Sequence, residues 1–303
     1  MATIYEGGLS SLRYVIETTI GTTPATPTTI LLPTVEHSIN YNKNTIDDPS
    51  IGYQNNMKPS IADGNSWVDG YISVKGRHAQ YDDLLMVALQ GTWATNVLKM
   101  SNTEQAVTVE EHIETGTTDI FNVSRGVEIP SVEITAKANE LIDVKFNLLG
   151  LTHAAGGTTP LTASPTAIQT AKTPFVTCNG VMTLDGTAYP ITDFSLKISN
   201  GISPKYAIAS AAAYGFASES NEVTGSMTFL LKDQTVLTKF ISGATAAIIF
   251  TMSDGTNTHT YSIPSVKYRK WDKKVNKSAI TASVDFEAIY NSTLGSLVSV
   301  TRT

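Results

Sequence analysis

Val68-Asp69-Gly70-Tyr71-Ile72-Ser73-Val74 alternates apolar and polar side chains, and Val223-Thr224-Gly225-Ser226-Met227-Thr228-Phe229 repeats its pattern, V-x-G-x-[IM]-x-[VF]. Successive strand side chains point to opposite faces, so each heptapeptide reads as a strand with one buried face. A helical segment ending in glycine follows each, at Gly91 and Gly243. Ile129-Pro130-Ser131-Val132 recurs as Ile263-Pro264-Ser265-Val266, and Val144-Lys145-Phe146-Asn147 is echoed by Val284-Asp285-Phe286-Glu287. Upstream, Leu32-Pro33 leads to Ser38-Ile39 as Tyr189-Pro190 leads to Ser195-Leu196. Five matches in one order point to an internal duplication.

Working outward, Val127 to Ile134 also alternates, and Val181 to Leu184, Asp185-Gly186 and Thr187 to Ile191 read as a hairpin. Asp-Gly suits a type I′ turn, whose two central residues need positive φ. Tyr81, Leu84, Leu85, Ala88 and Leu89 fall on one helical face, with Asp82 and Asp83 in the first turn and Gly91 as the closing residue. A second helix is predicted from Asp233, its N-cap, to Ser242, with Val236, Leu237, Phe240 and Ile241 on one side and Gly243 closing it. Thr152 to Thr173, rich in Gly, Ala, Thr and Pro, reads as a linker. Asn42 to Asn65 and Asn200 to Asn221 read as long loops of the kind that carry function.

The chain has 303 residues, a prior of about two domains. Its 16% charged residues fall below the roughly 25% usual in soluble domains, which leaves a neutral polar surface rich in Thr, Ser and Asn. A single cysteine, Cys178, excludes an internal disulfide framework. The N-terminal residues do not resemble a signal peptide, and no apolar run approaches the ~20 residues of a membrane span. The net charge of −6 is unevenly placed. Residues 1–150 carry 9 basic and 18 acidic side chains, whereas residues 151–303 carry 12 basic and 9 acidic.

Catalytic and cofactor patterns are missing: there is no H-E-x-x-H, P-loop, G-x-S-x-G or G-x-G-x-x-G. No cofactor is expected. Glu110-Glu111-His112 with Glu114 comes nearest to a metal cluster, but it lies in an alternating segment and is expected to decorate the exposed face of a strand. The dense charge is basic: Lys267, Arg269, Lys270, Lys273, Lys274 and Lys277, with Tyr268 and Trp271 interleaved. Such a mixture suits phosphate contact and stacking, yet in a net acidic chain an exposed hairpin meeting an acidic partner surface is the preferred reading.

Leu12-Arg13-Tyr14, Glu17-Thr18-Thr19 and Gly21-Thr22-Thr23-Pro24-Ala25-Thr26-Pro27 together resemble the N-terminal arm of the major tail tube proteins of long-tailed, non-contractile (siphovirus-type) phages. Tyr81-Asp82-Asp83-Leu84-Leu85 with Ala88-Leu89 and Gly91 resembles the helix of that family, and Val181 to Ile198 resembles its opening hairpin. The resemblance implies an all-β fold with minor α: two tandem tail-tube-type β-sandwich or barrel domains, each flanked by one short helix. It further implies a virion structural protein without enzymatic activity, whose rings stack into a hollow tube that conducts DNA during ejection.

The expected layout is an arm at 1–31, a first tube domain at 32–151, a linker at 152–173, a second tube domain at 174–291 and a tail at 292–303. Single-domain relatives form rings of six, so two domains per chain suggest a trimeric ring with pseudo-sixfold symmetry. Candidate assembly residues are Arg13, Tyr14, Glu17, Gly21 and Pro24 of the arm, Asn42, Asp47 and Asp48 of the first long loop, and Lys267, Arg269, Lys270, Trp271, Lys273, Lys274 and Lys277 of the basic hairpin. The implied partners are other copies of the chain, the tape-measure, tail terminator and tail-tip proteins, and DNA in transit. No membrane partner is implied, and assembly would take place in the bacterial host cytoplasm. The alternative is a β-sandwich adhesin or receptor-binding module, which the Thr- and Asn-rich composition also suits.

Overall fold

The computed structural model describes residues 7–50, 57–167 and 172–303. The middle of the first long loop and parts of the expected arm and linker therefore lie outside the described residues. The first half contains β1 (Ser11–Ile16), β2 (Ile30–Leu32), β3 (Glu36–Asp47), β4 (Ile61–Lys75), α1 (Asp82–Ala88), β5 (Val97–Lys99), β6 (Val107–Ile113), β7 (Ile120–Lys137), β8 (Asp143–Gly150) and β9 (Thr152–Gly157). The second contains β10 (Val181–Leu184), β11 (Thr187–Ala188), β12 (Ile191–Ser199), β13 (Ile202–Lys205), β14 (Gly215–Ser218), β15 (Glu222–Leu230), α2 (Thr235–Ser242), β16 (Ala246–Ser253), β17 (Thr258–Val275), β18 (Ile280–Ala288) and β19 (Ser299–Arg302). The fold is all-β with two short helices.

The strand pairings of one half recur in the other. β1 pairs with β2 and β6 as β10 pairs with β11 and β16. The ladder β3–β4–β8–β7 matches β12–β15–β18–β17. β7 and β17 are each long enough to serve two sheets. Their first parts pair with β6 and β9, or β16 and β19, and their second parts with β8 or β18. Each half is thus a sandwich whose two layers share one bent strand. One apolar cluster runs through both halves, from Leu12, Ile72 and Leu84 to Phe194, Val284 and Phe286.

Two successive bulges supply each bend, since an extra residue kinks a strand and increases its twist. In β7 the register shifts opposite Val107–Val109 and again between Glu128 and Ser131; in β17 it shifts opposite Ala246–Ile248 and again between Tyr268 and Lys270. The partner residues show that Val127 corresponds to Val266 and Ser131 to Lys270. The repeated tetrapeptide is therefore not equivalent: Pro130 sits in the second bulge of its strand and Pro264 in the first of its own. The duplication is real in topology, and this sequence match is displaced, as is the Val144–Asn147 echo: Ile72 faces Phe146 where Met227 faces Val284, so Phe146 corresponds to Val284 and not to Phe286.

The V-x-G-x repeat, by contrast, is equivalent. A Cβ on Gly70 would lie 1.9 Å from the Ser38 carbonyl oxygen, and one on Gly225 would lie 2.4 Å from that of Ser195. Ser38 and Ser195 occupy the same place in β3 and β12, so each half uses its glycine to bring the same two backbones together.

Other local expectations hold with adjustments. Asp185 and Gly186 take φ of 50° and 77°, as the I′ turn requires. Gln90, rather than Gly91, takes the left-handed conformation after α1. Asp233 stands one residue before the N-cap position and accepts the Thr235 N–H at 2.9 Å. Ile241, expected on the packed side of α2, is 75% exposed. The Asn42 to Asn65 stretch is not a loop throughout: β3 and β4 carry it as a ladder to Asp47 and Ile61, and its Asn- and Asp-rich sequence has both faces in solvent. Parts of the expected N-terminal arm and C-terminal tail are built into sheets. Residues 11–16 form β1, with Leu12 and Tyr14 buried, and β19 joins β17 to β5 with Val298 and Val300 buried.

Candidate functional site

The feature that the fold places at its centre is an edge-to-edge junction between the halves. β7 and β12 pair antiparallel over seven positions, from Ser131 opposite Ser199 to Lys137 opposite Asp193. Val132, Ile134 and Ala136 face Ile198, Leu196 and Phe194 on the buried side. The result is an uninterrupted eight-stranded layer, β3–β4–β8–β7–β12–β15–β18–β17. One face covers the core. The other is polar and faces outward along all eight strands.

That outward face is charge-compensated strand by strand. Lys75 binds Asp143 at 2.5 Å, Lys197 approaches Glu133 at 3.5 Å, and the Arg269 Nε donates to Glu287 at 2.7 Å. The Lys145 ammonium lies 4.2 Å from the centre of the Tyr71 ring, whose hydroxyl donates to Glu36 at 2.5 Å. That hydrogen bond to a carboxylate holds the Tyr71 hydroxyl pKa above its ordinary value. Lys137 stands opposite Asp193, and Lys270 opposite Asp285. Cross-strand pairs of opposite sign stabilise a sheet modestly and leave the face close to neutral.

The layer ends in two edges with no strand beside them among the described residues. One is β3, which pairs only with β4. The other is the second part of β17, which pairs only with β18 from Lys267 to Val275. Tyr41 on the first edge is 51% exposed and Val275 on the second is 68% exposed. An open edge carrying apolar side chains invites another strand.

The predicted basic hairpin is this second edge. Lys267, Arg269, Lys270, Lys273, Lys274 and Lys277 are all exposed, while Trp271 is half-buried against Phe229, ring centres 6.0 Å apart. Asp272 binds Lys270 at 2.8 Å and raises its pKa. The Lys273 side chain stands on the core-facing side of the strand, opposite Ala282.

The other expected residues are dispersed. Asn42 lies on the β3 edge opposite Trp67. Asp47 and Asp48 are near the tip of the β3–β4 ladder: Asp47 binds Lys58 at 2.6 Å, and hydrogen bonds from Ser50 and Ser60 hold the Asp48 carboxyl below its usual pKa. Arg13, Tyr14 and Glu17 serve the interior instead of a surface. Arg13 pairs with Glu110 at 3.3 Å, and the Tyr14 hydroxyl donates to Asp83 at 3.4 Å. Glu17 accepts the Gly21 and Gly126 N–H groups at 2.6 and 2.9 Å and the Thr108 hydroxyl at 2.7 Å, which fixes the turn at Gly21 onto β6 and β7. Pro24 is half-buried beyond that turn. Glu110, expected on an exposed face, is fully buried, because Arg13 on the neighbouring strand and the Leu161 N–H supply its partners.

Sequence reasoning missed the β3 edge residues Glu36, Ile39 and Tyr41. The available signal was Tyr41 itself, a large aromatic side chain in an otherwise polar run. It also missed a second outward feature, the β13–β14 hairpin, whose tip exposes Tyr206, Ile208 and Tyr214.

No curated protein matches the chain. The model of the phage tail tube protein family matches residues 7–288, a span that takes in both halves, the eight-stranded layer and most of its edges. With a match over nearly its whole length, the chain belongs to the phage tail tube protein family, and its role is that of a structural component of the tail tube.

Proposed function

We propose that three chains form a ring, that each chain contributes two tandem tube domains to six quasi-equivalent positions, and that rings stack around a lumen that conducts DNA. The β7–β12 junction carries this reading. It joins the last strand of one four-stranded layer to the first strand of an equivalent layer, and the same operation is available again between β17 of one chain and β3 of the next. A head-to-tail contact that repeats by a fixed rotation closes a ring.

Strand geometry supports three chains. Neighbouring strands lie about 4.8 Å apart and barrel strands tilt by about 40°. Three chains supply twenty-four strands, which close at a backbone diameter of about 48 Å and leave roughly 35 Å after side chains. Two chains would leave no clearance around a duplex roughly 20 Å across, and six would leave a lumen far wider than it needs.

The polar face of the layer is the lumen wall in this reading, because the opposite face is occupied by the core. DNA carries one charge per roughly 1.7 Å, so a basic wall would hold it. A wall of paired opposite charges offers few free cations and lets the duplex slide. The tips beyond β3–β4 and at β13–β14 stand at equivalent places in the two halves, and their exposed Ile46, Met57, Ile61, Ile208 and Tyr214 are suited to contact the next ring. The tape-measure protein would fill the lumen before DNA, with terminator and tail-tip proteins on the end rings, and assembly would occur in the host cytoplasm.

Electron microscopy with light scattering tests the reading. The expected species is a ring of about 98 kDa, three times the 32.5 kDa chain, with six matching lobes, and tubes at high concentration. A ring of six chains with the second half projecting outward refutes it.

A further inference from the structure

We infer that the residue register of the ring's chain-to-chain junction is written in the junction inside each chain: β17 of one copy pairs antiparallel with β3 of the next, with Lys274 opposite Ser38 and Trp271 opposite Tyr41. The inference rests on the ring proposed above and adds to it which atoms meet.

The correspondence follows from shared pairing partners. Ser131 faces Asn147 in the first half as Lys270 faces Asp285 in the second, and from there β7 and β17 run in step, Thr135 opposite Asp143 matching Lys274 opposite Thr281. Leu196 faces Gly225 as Ile39 faces Gly70, so β12 and β3 run in step too. Transferring the internal pairs Ser131–Ser199, Val132–Ile198, Ile134–Leu196, Thr135–Ser195 and Ala136–Phe194 gives Lys270–Asn42, Trp271–Tyr41, Lys273–Ile39, Lys274–Ser38 and Val275–His37.

This register accounts for side chains that are otherwise misplaced. Exposed Tyr41 and Val275 and half-buried Trp271 fall on the core-facing side of the new ladder, where the internal junction holds Ile198, Ala136 and Val132. Trp271 and Tyr41 become a directly opposed aromatic pair. On the lumen side, Glu36 lies diagonal to Lys274, within reach of a long side chain. Lys273 stands where the internal junction has Ile134. A lysine aimed inward on an open edge discourages indiscriminate pairing. Two β17 edges brought together would oppose lysines to lysines, whereas β3 offers Ile39 and, nearby, Glu36. The edge thus disfavours its own copy's identical edge and accepts the other one.

Paired cysteines test the register. In chains carrying Cys178→Ser, to remove the exposed native thiol, Lys274→Cys is combined either with Ser38→Cys or with Asn40→Cys, a slip of two residues. Directly opposed Cβ atoms are within disulfide reach and the diagonal ones are not. After mild oxidation of assembled rings, the Ser38 combination is expected to give covalent dimers and closed trimers on non-reducing gels, at least tenfold more than the Asn40 combination. Rings seen by microscopy with no cross-link, or with the Asn40 combination equal or ahead, overturn the register and leave the ring reading intact. Failure of the Cys178→Ser chain to form rings or tubes at any concentration overturns the ring reading and the register with it.

Discussion

Replacing Gly70 by alanine isolates the close backbone approach that both halves share. The added Cβ would sit 1.9 Å from the Ser38 carbonyl oxygen and 2.9 Å from its carbon, both backbone atoms that no rotamer change can move. Contacts shorter than 3.0 Å do not occur for real Cβ atoms, so β3 and β4 must separate locally by more than an ångström. Gly70 also has φ of 155°, which a side chain disfavours. Overpacking costs about 1–3 kcal/mol, and separating the strands loosens one or two ladder hydrogen bonds at about 1 kcal/mol each. The expected destabilisation is therefore about 2–4 kcal/mol, read from urea unfolding as a lower midpoint with unchanged slope. Gly225→Ala should lie in the same range, because its Cβ meets both the Ser195 oxygen and the Phe286 ring at 2.4 Å. Gly116→Ala, with nothing within 4 Å, is the control for loss of a left-handed glycine without a clash. A Gly70→Ala change within about 0.5 kcal/mol of wild type would show that the strands do not approach in this way, and the equivalence of the halves drawn from that approach would fall with it.

Burial, with Glu104 and Glu17 nearby, pushes the Glu128 carboxyl up to about 7. A raised carboxyl is protonated in the folded chain before the unfolded one, so its contribution is complete at low pH and fades as pH rises through about 7; Glu128→Gln should recover roughly 2 kcal/mol at pH 8 relative to pH 5, measured by urea midpoints. His259 is buried beside His78 and Arg302, which lowers its pKa to about 3. Its neutral form stabilises the fold above the unfolded pKa of about 6.5, and that contribution is lost as pH falls toward 3. His259→Leu should flatten this acid limb in pH-dependent melting curves. Arg302→Ala strips the partner from mostly buried Asp82 and the cation from over the Trp93 ring, and it should cost about 2–3 kcal/mol and expose the C-terminal strand to carboxypeptidase. Changing Lys273 and Lys274, which face Ala282 and Thr281, together to glutamate should leave the stability of the monomer from urea unfolding within about 0.5 kcal/mol of wild type while abolishing rings in sedimentation. Normal tubes from that variant would remove the β17 edge from the assembly.

Much of the architecture was legible because period-two alternation, the Asp185-Gly186 turn and the two helical faces are local signals. The V-x-G-x repeat even carried a tertiary fact, since the glycine is required by a backbone from another strand. What escaped was set by position in the sheet. Residues 42–47 and 61–65 lie in the β3 and β4 strands but show no alternation, because neither of their faces is buried. Glu110 looked exposed because its partner, Arg13, is distant in sequence and adjacent only through the β1–β6 ladder. The displaced Ile-Pro-Ser-Val match misled for a similar reason. Both copies fall at bends, but each bent strand has two bulges, and sequence alone does not say which bulge a proline occupies. The basic hairpin was visible as a charge cluster, yet its meaning depends on its being an edge, which is a property of topology.

The charge asymmetry between the halves also changes once burial is known. The acidic surplus of residues 1–150 includes Glu17, Glu110, Glu128 and Asp82, all buried. Glu110 and Asp82 are neutralised by arginines, and Glu128 is pushed toward its protonated form. The Glu110–Arg13 pair leaves the −9 unchanged, because Arg13 is already counted in it, and discounting Glu17, Glu128 and Asp82 lowers it by three at most, to −6. The basic surplus of residues 151–303 behaves differently, because six of its cations lie within eleven residues along one open edge. Complementarity between chains then has two sources of different range: a pull between a negative and a positive domain, and local pairs at that edge, through Glu36 and the strand that carries it. Such short-range pairs are screened over about 8–10 Å at physiological salt, so raising ionic strength should slow ring closure while leaving closed rings intact. A field between whole domains would instead make the rings themselves fall apart in salt, and the two outcomes separate under the same dilution and sedimentation experiment.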